Sequence, residues 1–256
     1  MVTDKEPDSL PLVSVIMAVY NEEDTVCQVV DQLLAKSFTE FRIELVIIES
    51  NSSDTSREKV TAYQSHPKVK LVLQGQANGK GNAIREGFGH ASGEILIIQD
   101  ADNEYSLADY PLLIGPIIAG KADFVLGTRH QSGKPMRVMD GEPLNSRMLN
   151  LGHVFFVWFF NLMYRTHLTD PFTMFKVFRT ECIDGLTFKA NRFDFDWELV
   201  GKLVRSNYLP LEIPITYKAR GFGEGKKVSW VRDPASWVIA AIRFRVERLT
   251  KTSDGR

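Results

Sequence analysis

The chain has 256 residues, 44% hydrophobic and 25% charged, a globular composition that excludes a disordered or fibrous chain. That length suits one large domain with a substantial core. A formal net charge of -1 offers no electrostatic case for nucleic-acid binding.

Two cysteines, Cys27 and Cys182, lie far apart and form no metal-ligand spacing, which points to a reduced, cytoplasmic chain. Met1 to Pro11 is polar and acidic and lacks the apolar stretch of a signal peptide. No uncharged run of about 20 apolar residues is available to cross a bilayer. The nearest is the aromatic stretch Val154 to Tyr164, readable as a core helix or as a helix that meets lipid.

In chain order, Leu12 to Val19 is a β-branched strand, and Glu22 to Lys36 has helical apolar spacing at Val26, Val29, Val30, Leu33 and Leu34. Ile43 to Ile48 is a second strand. Asp54 to Ser65 predicts a polar helix capped by Asp54. Val69 to Leu73 is a third strand, and Gly81 to Ala91 a helix ended by Gly93. Ile95 to Ile98 is a fourth strand. Ser106 to Ala119 predicts a helix with a capping Ser106 and an interruption at Pro116. Phe124 to Gly127 is a fifth strand. Repeated βαβ units predict an α/β fold with a mostly parallel sheet covered on both faces.

Beyond residue 130 the pattern changes. Gln131 to Glu142 predicts a mobile loop, and Asn145 to Arg165 a long aromatic helix. Met174 to Phe178 and Leu209 to Tyr217 read as strands around a helix from Trp197 to Ser206. Arg220 to Lys227 predicts a second flexible loop. Pro234 to Leu249 predicts a terminal helix mixing apolar residues with Arg243, Arg245 and Arg248. The expected organisation is a nucleotide-sugar-binding half, 1–130, and an acceptor-side half, 131–256, of one catalytic domain.

The chemistry concentrates where the fourth strand ends, in Gln99-Asp100-Ala101-Asp102-Asn103-Glu104. Open α/β sheets bind ligands at the carboxyl ends of their strands. Carboxylates crowded there repel one another unless a cation joins them, and oxygen-only ligands suit Mg²⁺ or Mn²⁺ bridging to substrate phosphates. The plain alternative is a polar loop capping the next helix. Strands one and two also end in polar segments, Tyr20-Asn21-Glu22-Glu23 and Glu49-Ser50-Asn51-Ser52-Ser53-Asp54, at the same sheet edge. Glu49 could accept hydrogen bonds from a base or ribose there. Gly79-Lys80-Gly81 opens the third helix, where backbone N–H groups favour an anion. The spacing fits neither a Walker A loop nor a dinucleotide fingerprint. Asp194-Phe195-Asp196 is a second acidic pair, assigned to capping and packing.

These segments, with Gly127-Thr128-Arg129, Asp170-Pro171-Phe172-Thr173, Glu212 to Tyr217 and Gly223 to Trp230, resemble family 2 glycosyltransferases. The resemblance is greater to the dolichyl- or polyprenyl-phosphate sugar synthase branch, and it covers most of the chain in order. It implies a GT-A fold. It implies metal-dependent, inverting transfer of a sugar from a UDP- or GDP-sugar to a polyprenyl phosphate, with a glycan hydroxyl as the alternative acceptor. By the same resemblance Asp100, Asp102 and Glu104 would hold Mn²⁺ or Mg²⁺, and Ala18, Tyr20, Glu22 and Glu49 would face the nucleoside. Lys80 would lie near the diphosphate. Arg129 and Arg147 would face donor or acceptor phosphate, Lys226 and Lys227 an acceptor phosphate. Asp170 would be the general base for a hydroxyl acceptor, a role that an already anionic phosphate acceptor does not need.

The chain departs from the family pattern at Ser50, where relatives carry a second acid, and at Phe172, where a small residue is usual. Relatives of this branch often carry membrane helices after the catalytic region, and the 256 residues contain no run long and apolar enough to be one. Two other readings follow from the same residues. A nucleotidyltransferase would place a Gly-rich basic loop after the first strand, where this chain is acidic. A non-catalytic nucleotide-sugar-binding protein would have less reason to keep Asp100, Asp102 and Glu104 together. The aromatic helix and the arginines of the terminal helix predict a peripheral contact with an anionic membrane surface.

Overall fold

The computed structural model describes residues 9–130, 136–138, 143–219 and 232–249. The first half alternates strands and helices: β1 (Leu12–Val19), α1 (Val26–Ala35), β2 (Arg42–Glu49), α2 (Ser56–Thr61), β3 (Val69–Leu73), α3 (Lys80–His90), β4 (Ile95–Asp100), α4 (Tyr110–Ile118) and β5 (Phe124–Thr128). The second half adds α5 (Pro143–Tyr164), β6 (Lys176–Arg179), α6 (Phe195–Arg205), β7 (Leu211–Pro214) and α7 (Arg232–Val246).

All seven strands form one sheet in the order β3-β2-β1-β4-β6-β5-β7. Pairings β1–β2, β1–β4, β2–β3 and β5–β7 are parallel. β6 runs antiparallel to both β4 and β5. The sheet is therefore mostly parallel as expected, but a strand from the second half separates β4 from β5, so the two sequence halves interleave in one sheet.

Central strands are apolar on both faces because helices cover both. Val13, Val15, Ile16, Met17 and Val19 of β1 are fully buried, as are Leu45 to Ile48 of β2. Each such side chain contributes roughly 1.5–3 kcal/mol relative to exposure. This run of apolar residues sets β1 and β4 at the centre, and their carboxyl ends define the edge where the functional residues gather.

Several expected boundaries move for identifiable reasons. α1 starts at Val26 rather than Glu22, because Asn21 is left-handed (φ 51°) and residues 21–25 form a braced turn instead. Gly93 does not cap α3, whose C-cap is Ala91. A Cβ on Gly93 would lie 2.6 Å from the Leu12 carbonyl oxygen, so that glycine serves close chain passage beside β1. α4 continues through Pro116; Leu112, four residues back, lies on the exposed face, where a freed carbonyl can meet water. Ser106 caps as expected, its hydroxyl accepting from Ala108 N–H in the single 3₁₀ turn before α4. Asp54 accepts from Ser56 N–H at 2.9 Å at the start of α2.

α5 buries one stripe, Ser146, His153, Phe156, Phe160 and Tyr164, and leaves another exposed. Leu144, Met148, Leu151, Phe155, Trp158 and Leu162 recur at spacings of three and four, which places them on one side of the helix. α7 packs near α5 and α6. Arg205 of α6 donates to the Phe244 and Glu247 carbonyls at 2.6 and 2.7 Å, satisfying the C-terminal end of α7. Among the described residues no helix is long and apolar enough to cross a membrane.

Candidate active site

A cleft of about 730 Å³ opens at the carboxyl ends of β1 and β4, bounded by α5, the N-termini of α3 and α6, and Trp237 of α7. That size is ordinary for a small-molecule site. Ala18, Tyr20, Glu22, Lys80, Asp100, Asp102, Glu104 and Arg129 all line it. The structure thus brings most of the expected residues together.

The loops after β1 and β2 are stitched to each other. Asn21 and Asn51 are both left-handed, with φ of 51° and 56°, a conformation asparagine tolerates better than most residues. Asn21 N–H donates to Ser52 Oγ at 3.0 Å, Ser53 N–H to Asn21 Oδ1 at 2.8 Å, and Glu22 N–H to Ser56 Oγ at 2.8 Å. Glu49 is spent on this bracing. It is fully buried, accepts from Asn51 and Ser52 N–H, and pairs with Arg57 at 3.3 Å. Contrary to expectation it does not line the cleft; its neighbour Ser50 does.

α3 begins at Lys80 because Gly79, at φ 97°, turns the chain where a Cβ would strike the Asn191 carbonyl oxygen at 2.3 Å. The Lys80 ammonium pairs with Asp100. Burial opposes its charge, but Asp100, Asp196 and Asp102 outweigh burial and hold its pKa above the ordinary lysine value. Asp102 is buried and accepts from Glu104 N–H at 3.0 Å. The Glu104 carboxylate accepts from the Tyr217 hydroxyl at 3.1 Å. Among the described residues no three Asp, Glu, His or Cys side chains are grouped to hold a metal, so the expected three-carboxylate set is not assembled.

Arg129 and Asp170 form a buried bidentate pair. Arg129 Nε donates to Asp170 Oδ2 at 2.8 Å, a second guanidinium nitrogen to Oδ1 at 2.7 Å, and Arg129 N–H to Oδ2 at 3.0 Å. Burial pushes the Asp170 carboxyl upward, but Arg129 prevails and holds it far below the ordinary range. A carboxylate with both oxygens engaged this way is not available to take a proton. The expectation that Asp170 acts as general base is therefore not carried by the geometry. Behind the pair, His153 lies 3.7 Å from Asp170, and its Nε2 is 3.2 Å from His130 Nε2. Burial, with Arg129, Arg137 and His130 nearby, pushes the His153 pKa down to about 3.

Sequence reasoning missed several cleft residues. The backbone of Arg137 is clamped by Asn150 on α5, at 3.1 and 3.0 Å, and its side chain lines the cleft. Its Nε and the indole Nε1 of Trp237, also a lining residue, are buried donors with no hydrogen-bond partner among the described residues. Buried donors ordinarily have partners, so this pair suits an anionic oxygen ligand. Loop composition hid Arg137, and the apolar company of Trp237 concealed its polar handle. Asp196 also lines the cleft, at variance with the packing role expected for it. Arg147, by contrast, is exposed on α5 and does not line the cleft, because its helix turns it away from the buried stripe. Lys226, the loop Arg220 to Lys227 and all of Gln131 to Glu142 except 136–138 lie outside the described residues.

The family model "Glycosyl transferase family 2" matches residues 14–199. The chain belongs to that family. The relatives include a dolichol-phosphate mannosyltransferase of Pyrococcus furiosus, 26% identical over 84% of this chain and 58% of the relative. An undecaprenyl-phosphate 4-deoxy-4-formamido-L-arabinose transferase of Sodalis glossinidius is 26% identical, with 86% and 64% covered. These relatives share the polyprenyl-phosphate branch that the motifs resemble. The chain spans about three-fifths of their length. Among solved structures, glucosyl-3-phosphoglycerate synthase of Mycobacterium tuberculosis superposes with a TM-score of 0.64 at 18% identity, covering 93% of this chain and 82% of that one. The family 2 fold is thus GT-A.

Another structure of that synthase contains Mn²⁺ and UDP-glucose, with a TM-score of 0.63 at 16% identity, covering 92% of this chain and 80% of that one. In this chain Asp100 and Asp102 present oxygen ligands to one cleft. Mg²⁺-type ions typically use one or two carboxylates plus substrate phosphates, so the donor set fits such an ion without Glu104.

Proposed function

We propose that this protein transfers a sugar from a UDP- or GDP-sugar to a polyprenyl phosphate at a membrane surface, with inversion. The observation that supports this most is the pair of unpartnered buried donors, Arg137 Nε and Trp237 Nε1, in a cleft that also holds Asp100, Asp102 and Arg129. Asp100 and Asp102 are the residues that would hold Mn²⁺ or Mg²⁺, which supplies charge neutralisation for a nucleoside diphosphate. Glu22, Ala18 and Tyr20 face the nucleoside, and Lys80 at the start of α3 takes the diphosphate.

An oxygen of the acceptor phosphate, oriented by Arg129 and Arg137, attacks the anomeric carbon. The bond from that carbon to the diphosphate breaks, and its electron pair leaves with the nucleoside diphosphate. The attacking oxygen is already anionic, so no base is required, which agrees with Asp170 being committed to Arg129. The exposed stripe of α5 lies next to this cleft, since Met148 belongs to both. With Ile239, Ile242 and Val246 exposed on α7, it gives an apolar surface suited to the lipid interface.

The test is transfer of labelled sugar to a short-chain polyprenyl phosphate in detergent, against soluble hydroxyl acceptors, with and without Mn²⁺. Transfer to the lipid phosphate alone, lost with chelator and in Asp102→Asn, is the expected result. Full metal-dependent turnover by Asp102→Asn, or transfer only to hydroxyls, overturns the reading.

A further inference from the structure

We propose that Asp196 holds the hydroxyls of the sugar being transferred, and so sets which sugar the cleft accepts. This rests on the nucleotide-sugar reading above and assigns a part of that site to a residue outside the metal and phosphate machinery.

Asp196 stands in the first turn of α6, on the side of the cleft formed by the second half of the chain. Its Oδ1 accepts from the Lys176 ammonium at 2.6 Å. Lys176 is fully buried on β6 and also donates to the Thr173 carbonyl oxygen. The lysine therefore fixes the carboxylate from behind, on a rigid strand. Asp196 Oδ2 receives no hydrogen bond among the described residues, and 16% of the side chain remains accessible. A cleft-lining carboxylate with one oxygen anchored and the other without a donor among the described residues is an acceptor for neutral hydroxyl donors.

Its neighbours complete a polyol site. Trp197, next to it in sequence, and Phe193, three residues before it, line the same cleft. Trp197 is almost fully buried and packs at a tilt against Phe172, with ring centroids 4.5 Å apart, which holds its ring in place. Sugars present hydroxyls at their edges and apolar C–H faces, and a cleft wall that carries an anchored carboxylate among aromatic residues matches both surfaces. The location is also right. The charge of Asp196 acts on Lys80, as do those of Asp100 and Asp102. A sugar bonded to the outer phosphate near Lys80 extends one glycosidic bond further, toward Asp196.

The experiment measures, by calorimetry with Mn²⁺, the affinity for the free nucleoside diphosphate and for a panel of UDP- and GDP-hexoses differing in hydroxyl configuration. Asp196→Asn is compared with the double variant Asp196→Asn/Lys176→Met, which removes the buried charge that the single change strands. The expected result is unchanged nucleoside diphosphate affinity in both variants, loss of about ten- to a hundredfold in affinity for the preferred nucleotide sugar, and loss of discrimination among hexoses. Unchanged sugar affinity and selectivity in the folded double variant overturns the proposal. So does intact donor affinity together with a lost acid limb in the pH–rate profile, which would make Asp196 a proton acceptor instead. Failure of the unaltered protein to bind any nucleoside diphosphate would instead reject the nucleotide-sugar reading itself.

Discussion

Substituting Asp170 by asparagine separates an anchor from a base. The change keeps the shape and one acceptor oxygen but removes the charge that faces Arg129. Both side chains are nearly inaccessible, at 6% and 0%, so water cannot substitute for the missing anion. Breaking a buried pair in this way costs about 3–5 kcal/mol. For a chain of this size each kcal/mol shifts the melting temperature by roughly 2–4 °C, so Asp170→Asn should melt about 10 °C lower. Adding Arg129→Met removes the stranded guanidinium and should recover most of that loss. Screening hardly reaches a buried pair, so the difference should persist from low to high salt. The folded carboxyl is depressed, so its contribution is complete above the ordinary aspartate value, near 3.9, and is lost as pH falls through the lower folded value. The melting difference should therefore be flat from about pH 5 to 8. Thermal melts followed by circular dichroism decide it. If Asp170→Asn melts with the unaltered protein while turnover collapses and the acid limb of the rate profile disappears, Asp170 is a base and the anchor argument fails.

Three further outcomes are expected. His153 stays neutral in the fold down to about pH 3, whereas an unfolded histidine gains a proton near 6.5. Stability should thus fall as pH drops between those values, and His153→Gln should flatten that limb in acid titrations of unfolding; an unchanged slope would contradict the burial argument. Gly81→Ala would press a methyl to 2.6 Å from Phe195 Cβ and 2.8 Å from the Ala190 carbonyl oxygen. Because backbone must move, it should destabilise by about 1–3 kcal/mol in denaturant titrations and weaken nucleotide binding at α3. Leu151→Ser with Trp158→Ser, both on the exposed stripe of α5, should lower co-sedimentation with anionic liposomes while leaving the melting temperature within about 2 °C, since exposed sites change stability little. Equal liposome binding would remove the membrane role of α5.

The fold was legible where burial alone dictates pattern. Apolar runs such as Leu12 to Val19 and Ile95 to Ile98 read as buried strands because both sheet faces are covered, and the acidic end of β4 marked the cleft. The insertion of β6 between β4 and β5 was not legible, because a short apolar run carries no signal of its direction or neighbours. Within the site the limit is sharper, since residue type does not reveal the partner. Glu49, Asp170 and Asp196 are all carboxylates in plausible motifs. Glu49 lies beneath two backbone N–H groups and Arg57, and Asp170 lies against Arg129, so both oxygens of each are already engaged by protein donors. Asp196 was assigned to packing because aromatic residues flank it, yet those aromatics line the cleft with it. The difference is set by Lys176, twenty residues away in sequence and buried on β6, which holds one oxygen of this cleft-lining residue and leaves the other without a donor among the described residues. A cation that seals both oxygens makes a carboxylate structural, and one that seals a single oxygen makes it a positioned acceptor. That distinction is one of geometry between distant segments, and it moves the candidate site away from Asp170 and toward Asp196.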